Sequence, residues 1–138
     1  MSQTAFKVED VVAVAEFRTA LRRFARRSER VARQYGLTPQ RYLLLLMIKG
    51  AANGKEQSTV TELADRLQLA QSTVTELVRR AEETGLIARE QSPDDARVAL
   101  LRLTPEGDRR LMQSFTELSA ERAQIRDAFA HLDETLYP

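Results

Sequence analysis

The amino-acid sequence predicts a mainly α-helical fold with one small β-hairpin. Residues 8–33 and 105–137 repeat apolar side chains every three or four positions, which is the spacing of one face of an α-helix. Between them, residues 86–91 and 97–103 carry β-favouring side chains on either side of a Ser-Pro-Asp-Asp-Ala turn. A chain of 138 residues fits a single domain, 1–138, with a core of useful size.

The first predicted helix, residues 8–33, has an apolar side and a basic side. Seven arginines and one acid lie between Arg18 and Arg33. The apolar stripe faces away from these arginines and consists of Val14, Phe17, Leu21, Phe24, Ser28 and Val31. This pattern predicts a helix that packs on one face and exposes arginines on the other.

Two further helices begin with a threonine followed by a proline, which is a favourable helix start because proline needs no hydrogen-bond partner there. Thr38 and Pro39 begin a helix that continues towards Gly50. Thr104 and Pro105 begin the last one, and no glycine or proline interrupts the chain from Asp108 to Tyr137. The sequence therefore predicts one unbroken C-terminal helix.

Two short helices are predicted in the middle of the chain, after a polar linker at residues 51–57. The first begins at Thr59 with a capping box that includes Glu62, and it ends near Gln68. The second covers residues 71–84 and stops at Gly85. Two short helices with a tight turn, followed directly by a hairpin, are the element order of a winged helix-turn-helix.

Composition excludes most catalytic chemistry. The chain has no cysteine and a single histidine, so thiol nucleophiles, disulfides, thiol redox sensing and common metal sites are excluded. The five glycines form no phosphate-binding loop. We therefore expect no catalytic site, metal or cofactor. The absence of a bilayer-length apolar run and of a secretory signal pattern leads us to expect a cytoplasmic protein without membrane association.

A helix of this arrangement can enter the major groove of double-stranded DNA, and the hairpin can reach the backbone or minor groove. Its outward side chains are the DNA-binding candidates because they avoid its apolar stripe. Glutamine pairs with adenine, hydroxyls donate to bases or phosphates, and arginine neutralises phosphates. The candidates are Gln71, Ser72, Thr73, Thr75, Glu76, Arg79 and Arg80. The simplest alternative for this face is a solvated helix surface.

Three segments resemble the MarR family of bacterial transcription regulators. Thr61–Leu67 is similar to the family's first DNA-domain helix, and Ser72–Thr75 is similar to its recognition helix. The segment from Asp94 to Arg97, continuing into 101–107, is similar to its wing and the following helix start. The resemblance extends over nearly the whole chain and implies a DNA-binding transcriptional regulator.

The resemblance also implies roles for particular residues. Arg97 would enter or approach the minor groove, and Asp95 would hold the wing through an ion pair. Residues 35–104 would form the DNA-binding lobe, while 8–33 and 105–137 would form a homodimer that reads a pseudo-palindromic operator. A small aromatic or anionic ligand would release a repressor from DNA, in a pocket lined by Phe24, Tyr42 and Met47.

Some features depart from this pattern or favour other functions. Glu76 stands where the family commonly has arginine, Ala96 replaces a frequent basic residue, and the chain stops without the family's usual sixth helix. Residues 58–103 carry six arginines and eight acids, which favours a protein-binding winged helix as the alternative. An enzyme is a weaker alternative, since the adjacent Asp94 and Asp95 are turn-forming residues. Asp95 and Arg97 could also be a simple turn-stabilising pair.

Overall fold

The computed structural model describes residues 5–138 as a mostly helical chain with a small sheet, which confirms the predicted fold class. Its elements are α1 (Val8–Gln34), α2 (Pro39–Lys49), β1 (Gln57–Ser58), α3 (Val60–Leu67), α4 (Gln71–Glu83), β2 (Ile87–Gln91), β3 (Ala99–Leu103), α5 (Pro105–Glu117) and α6 (Ser119–Leu136). Among the described residues, no helix is both long and apolar enough to cross a bilayer.

The described chain divides into two compact units. One, which we call the lobe, is Ala32–Phe115. The other, the terminal unit, combines the described residues up to Val31 with Thr116–Pro138. The lobe contains the two short helices and the sheet, and the terminal unit contains most of α1 and all of α6.

The lobe is built around leucines and valines that are fully excluded from solvent. Helix α2 contributes Leu44, Leu45 and Ile48, which explains why its apolar run shows no clear polar face. Helix α3 contributes Leu63, and α4 and β3 contribute Val74, Val78, Ala81 and Leu101. Burying one such side chain stabilises a fold by about 1.5–3 kcal/mol, so these residues fix how the helices are placed.

The helix ends of the lobe follow the sequence signals. The Thr38 hydroxyl accepts a hydrogen bond from the Arg41 N–H, and the Thr59 hydroxyl accepts one from the Glu62 N–H, both at 3.2 Å. Helix α3 stops because Gln68 adopts a left-handed conformation with φ 56°. The three residues from Gln68 to Ala70 then make the tight turn into α4.

The sheet has a third strand that was predicted as linker. Residues 51–57 were expected to be a polar connection, but Gln57 and Ser58 form β1 and pair antiparallel with β3. The sheet order is β1-β3-β2, so β3 is central. A two-residue strand is too short to show a period-two pattern, which is why the sequence did not reveal it.

The prediction of one unbroken C-terminal helix is wrong, and so is the expectation that a sixth helix is missing. Helix α5 ends at Glu117 and α6 begins at Ser119. Leu118 between them is fully buried and has ψ 10°, outside the helical range. The Ser119 hydroxyl donates to the Thr116 carbonyl at 2.7 Å, replacing a helical bond with a local one. Leu118 is buried at this break, and no glycine or proline marks it.

The terminal unit has few fully buried residues. The rings of Phe17 and Phe129 lie with centroids 6.0 Å apart, and Arg27 Nε lies 3.2 Å from Glu121 Oε1. Helix α6 has no buried residue. Large apolar side chains of this unit that remain exposed are Phe6, Val8, Val11, Val12, Val14, Leu21, Phe129 and Tyr137.

Candidate nucleic-acid interface

The polar residues of α4 are placed outward by the burial of its apolar stripe. Val74, Val78 and Ala81 are fully buried against the lobe. The predicted candidates Gln71, Ser72, Thr73 and Thr75 are all exposed, and so are Arg79 and Arg80. Helix α4 therefore presents a continuous polar face whose side chains offer both donors and acceptors.

The N-terminal end of α4 opens onto a shallow depression of about 370 Å³. Its lining residues are Gln40, Ser72, Thr73, Glu76, Leu77 and Arg80. Gln40 comes from the first turn of α2 and was not among the sequence-based candidates. The sequence carries no signal for it, because it does not show that the first turn of α2 lies beside α4.

The charged residues of α4 are paired with one another. Glu76 accepts hydrogen bonds from Arg79 Nη2 at 2.5 Å, Arg79 Nε at 2.9 Å and Arg80 Nε at 3.1 Å. Arg79 also donates to Glu83. The guanidinium of Arg79, and to a lesser extent that of Arg80, lowers the pKa of Glu76 from 4.5 to about 2. Glu76 is therefore ionised at every physiological pH.

The wing is the turn between β2 and β3, and its tip is held by Asp95. The Asp95 carboxylate accepts from the Arg97 N–H at 3.0 Å and from Arg97 Nε at 3.2 Å. The side-chain bond from Arg97, with a smaller effect of its N–H, lowers the pKa of Asp95. The Arg97 side chain is 90% exposed, so it projects from the lobe as a charged tip.

Every arginine between Ser58 and Leu103 has a partner within the lobe. Arg66 donates to the carbonyls of Met47 and Gly50 at 3.1 and 2.9 Å. Arg89 pairs with Glu82 at 2.6 Å, and Arg102 lies 3.6 Å from Glu90. Five of the acids, Glu76, Glu82, Glu83, Glu90 and Asp95, form ion pairs with arginines of this segment, and Arg97 has the most exposed side chain of the arginines in those pairs.

The sequence is similar to known families and proteins. The MarR family profile matches residues 35–98. The uncharacterized HTH-type transcriptional regulator YsmB of Bacillus subtilis is 29% identical over 120 residues, which cover 84% of this chain and 77% of that protein. The transcriptional repressor MdtR of the same organism is 37% identical over 90 residues, which cover 65% of this chain and 53% of that protein. The chain thus spans about half of that second relative.

Solved structures share the whole fold. A MarR mutant from E. coli, crystallised in complex with operator DNA, superposes with a TM-score of 0.69. It is 19% identical, and the match covers 98% of this chain and all of the other. The lobe of this chain is similar to the MarR family, and the fold is shared with a solved MarR protein. YsmB is named a transcriptional regulator and MdtR a transcriptional repressor.

The MarR-like junction after the wing has a clear structural reason. The Thr104 hydroxyl donates to the Gly85 carbonyl at 2.6 Å and accepts from the Gly107 N–H at 3.1 Å. A Cβ atom on Gly107 would lie only 2.1 Å from the Leu86 carbonyl oxygen. The Thr-Pro-Glu-Gly sequence therefore caps α5 and lets its first turn approach the backbone that leads into β2.

The three predicted effector-pocket residues are distributed over both units. Phe24 is half-buried on α1 in the terminal unit. Tyr42 is buried and Met47 is half-buried, both on α2 in the lobe. The carbonyl of Met47 is one of the two that Arg66 binds. No group of metal-ligating side chains occurs among residues 5–138.

Proposed function

We propose that this chain is a sequence-specific transcriptional regulator that binds double-stranded DNA as a homodimer. The exposed polar face of α4 and the exposed Arg97 tip belong to the same compact lobe, and this combination carries the proposal. Helix α4 would read the major groove while the wing contacts the backbone or minor groove. Similarity to the MarR family and to named transcriptional regulators supports this function. Because bacterial operator DNA is cytoplasmic, a cytoplasmic location is part of the proposal.

The proposal assigns a role to each group of side chains. Gln71 reads adenine, and the hydroxyls of Ser72, Thr73 and Thr75 donate to bases or phosphates. Arg97 enters or approaches the minor groove, oriented by its bonds to Asp95. Arg79 and Arg80 contact phosphates only by giving up bonds to Glu76. Exposed ion pairs within a helix contribute little stability, so a phosphate can replace them.

A homodimer accounts for the apolar surface of the terminal unit. Phe6, Val11, Val14 and Leu136 line a depression of about 240 Å³ beside Asp10. A second copy would cover this surface, with α1, α5 and α6 as the contacting helices. Two-fold symmetry then predicts a pseudo-palindromic operator with half-sites about 10 base pairs apart.

The regulator is proposed to be a repressor that a small aromatic or anionic molecule releases. The relative MdtR is named a repressor, which supports the direction of regulation. Tyr42 and Met47, both on α2 in the lobe, are the proposed lining of the ligand site. A panel of benzoates and phenols should release operator DNA from the protein, and Met47→Ala should raise the concentration required. No release by any ligand of this class would overturn this part.

Binding of the chain's own upstream DNA at several salt concentrations tests the main proposal. We expect affinity to fall steeply with salt, and a scrambled duplex of equal length to bind about 10³-fold or more weakly. Arg97→Ala should weaken binding to both duplexes and reduce the salt slope by about one unit. Arg126→Ala is the control, because Arg126 is an exposed arginine of α6 that pairs with Asp127. It should change neither the affinity for the two duplexes nor the salt slope.

A second function is favoured by the acid surplus of residues 58–103 and by the pairing of their arginines. In that case the lobe is a protein-interaction module with little affinity for DNA. Absence of salt-dependent binding to the upstream and scrambled duplexes would support this function and contradict the main proposal. Equal affinity for both duplexes would contradict sequence specificity.

A further inference from the structure

We infer that Glu76 is a specificity-determining residue that selects a cytosine in each operator half-site. The inference rests on the proposed function, because it concerns what α4 reads when it lies in the major groove. Beyond that function, it names the base that is read, cytosine, and the group that reads it, the Glu76 carboxylate. It also gives a reason why glutamate stands where the family commonly has arginine.

The Glu76 carboxylate is held by two arginines of the same helix. Glu76 Oε1 accepts two hydrogen bonds, from Arg79 Nη2 and Arg80 Nε, while Oε2 accepts one, from Arg79 Nε. Each carboxylate oxygen has about two acceptor sites, so Oε1 is saturated and Oε2 has one site open. While these bonds persist, the two arginines orient the Glu76 side chain and leave one acceptor site of Oε2 without a bond from either arginine. The Glu76 side chain is 46% exposed and lines the depression at the N-terminal end of α4.

The charged side chains of α4 include more acids than arginines. Helix α4 carries Glu76, Glu82 and Glu83 against Arg79 and Arg80. Both arginines are bonded to Glu76, and Glu82 is bonded to Arg89 of β2. The helix has no surplus positive charge to attract phosphates. Contacts with base edges are therefore the part of its binding that can distinguish one sequence from another.

The four bases present different donors and acceptors to a carboxylate in the major groove. Guanine and thymine present acceptor atoms there, which repel a carboxylate, whereas cytosine presents the N4 amino donor. Adenine also has an amino donor, but its neighbouring N7 is an acceptor that disfavours an ionised carboxylate. Because Glu76 remains ionised and has one open acceptor, it discriminates in favour of cytosine. The same negative charge weakens binding to sequences that lack this donor.

Selection of binding sites from a pool of randomised duplexes tests the inference. The wild-type protein should select one cytosine, paired with guanine, at symmetric positions in both half-sites. Replacing that base pair should reduce wild-type affinity on the order of tenfold, as expected for one base contact. Glu76→Gln should shift the preference at that position towards adenine, since glutamine pairs with adenine N6 and N7.

Glu83→Gln is the matched control, because Glu83 also bonds Arg79 on the same helix. It should retain the cytosine preference. Glu76→Ala should lose the preference, and its salt slope should become steeper because Arg79 and Arg80 are released to phosphates. Thermal melts of each exposed-site variant verify that it is folded.

Two results separate failure of this inference from failure of the proposed function. If Glu76→Gln and Glu76→Ala select the same base as the wild type at every position, Glu76 only pairs the arginines and the inference is overturned. If the folded wild-type protein selects no sequence from the pool, the proposed function fails and the inference fails with it.

Discussion

The lobe and the terminal unit differ in how completely each buries its own apolar residues. The lobe encloses Leu44, Leu63, Val74 and Leu101 completely. The terminal unit leaves Val8, Val11 and Phe129 more than half exposed, and α6 buries nothing fully. Soluble proteins rarely leave large contiguous apolar patches unpaired, so this difference supports the proposed homodimer, in which a second copy would cover the terminal unit.

The largest effect should follow from a charge placed in the apolar depression of the terminal unit. Val14→Asp puts a carboxylate on a surface that a second copy would desolvate, so the dimer should dissociate. Loss of simultaneous binding to two half-sites should reduce operator affinity by a factor on the order of 10²–10⁴. Analytical ultracentrifugation and operator titration measure the two effects.

The control for this change is Thr19→Asp on the same helix. Thr19 is exposed and lies about 140° around α1 from Val14, counting 100° per residue. It should leave mass and affinity unchanged. A Val14→Asp protein that stays dimeric would show that this surface is not the dimer interface. The proposed homodimer would then not explain why the terminal unit exposes more apolar side chains than the lobe.

The next largest effect should follow from removing core volume in the lobe. Leu63→Ala deletes a fully buried side chain and should reduce the free energy of unfolding by about 2–5 kcal/mol. Leu69→Ala is the control, since Leu69 is 39% exposed and should cost less than about 1 kcal/mol. Urea unfolding measures both. Equal losses from the two leucines would contradict the described core.

A smaller effect is expected from the ion pair within the terminal unit. Arg27→Met leaves the half-buried Glu121 carboxylate without its partner at 3.2 Å and should cost about 1 kcal/mol. Arg126→Met, at a fully exposed pair with Asp127, should cost close to nothing. Thermal unfolding of the two variants at equal protein concentration measures the difference, and identical melting temperatures would show that the Arg27 pair adds no stability.

The smallest effect concerns pH and the first turn of α5. Arg109, with Arg110, lowers the pKa of Glu106 from 4.5 to about 2. A lowered pKa means that this carboxylate contributes stability above pH 4.5, and that the contribution disappears as pH falls towards 2. Glu106→Gln should therefore melt below the wild type at pH 7, and the gap should narrow from pH 5 to pH 2. Glu134→Gln is the control, and a pH-independent gap would contradict the ion pairs.

Sequence periodicity predicted the parts of the fold that depend on local signals. Threonine caps at Thr38 and Thr59 and the apolar stripe of α4 gave helix positions to within a residue or two. The break at Leu118 and the short strand β1 were missed because both depend on burial and pairing with residues distant in sequence. The candidate face of α4 followed from its periodicity, but the bonds of Glu76 with both arginines required side-chain geometry. Gln40 was missed because the sequence does not show that α2 lies beside α4.

The mass of the protein, alone and bound to its upstream duplex, tests the central claim most directly. The chain has a mass of 15.7 kDa, so a dimer doubles this to 31.4 kDa. We predict a dimer in the absence of DNA and two chains per duplex, in a complex that dissociates as salt increases. A monomer that persists at micromolar concentration, or a single chain bound per duplex, would contradict the account.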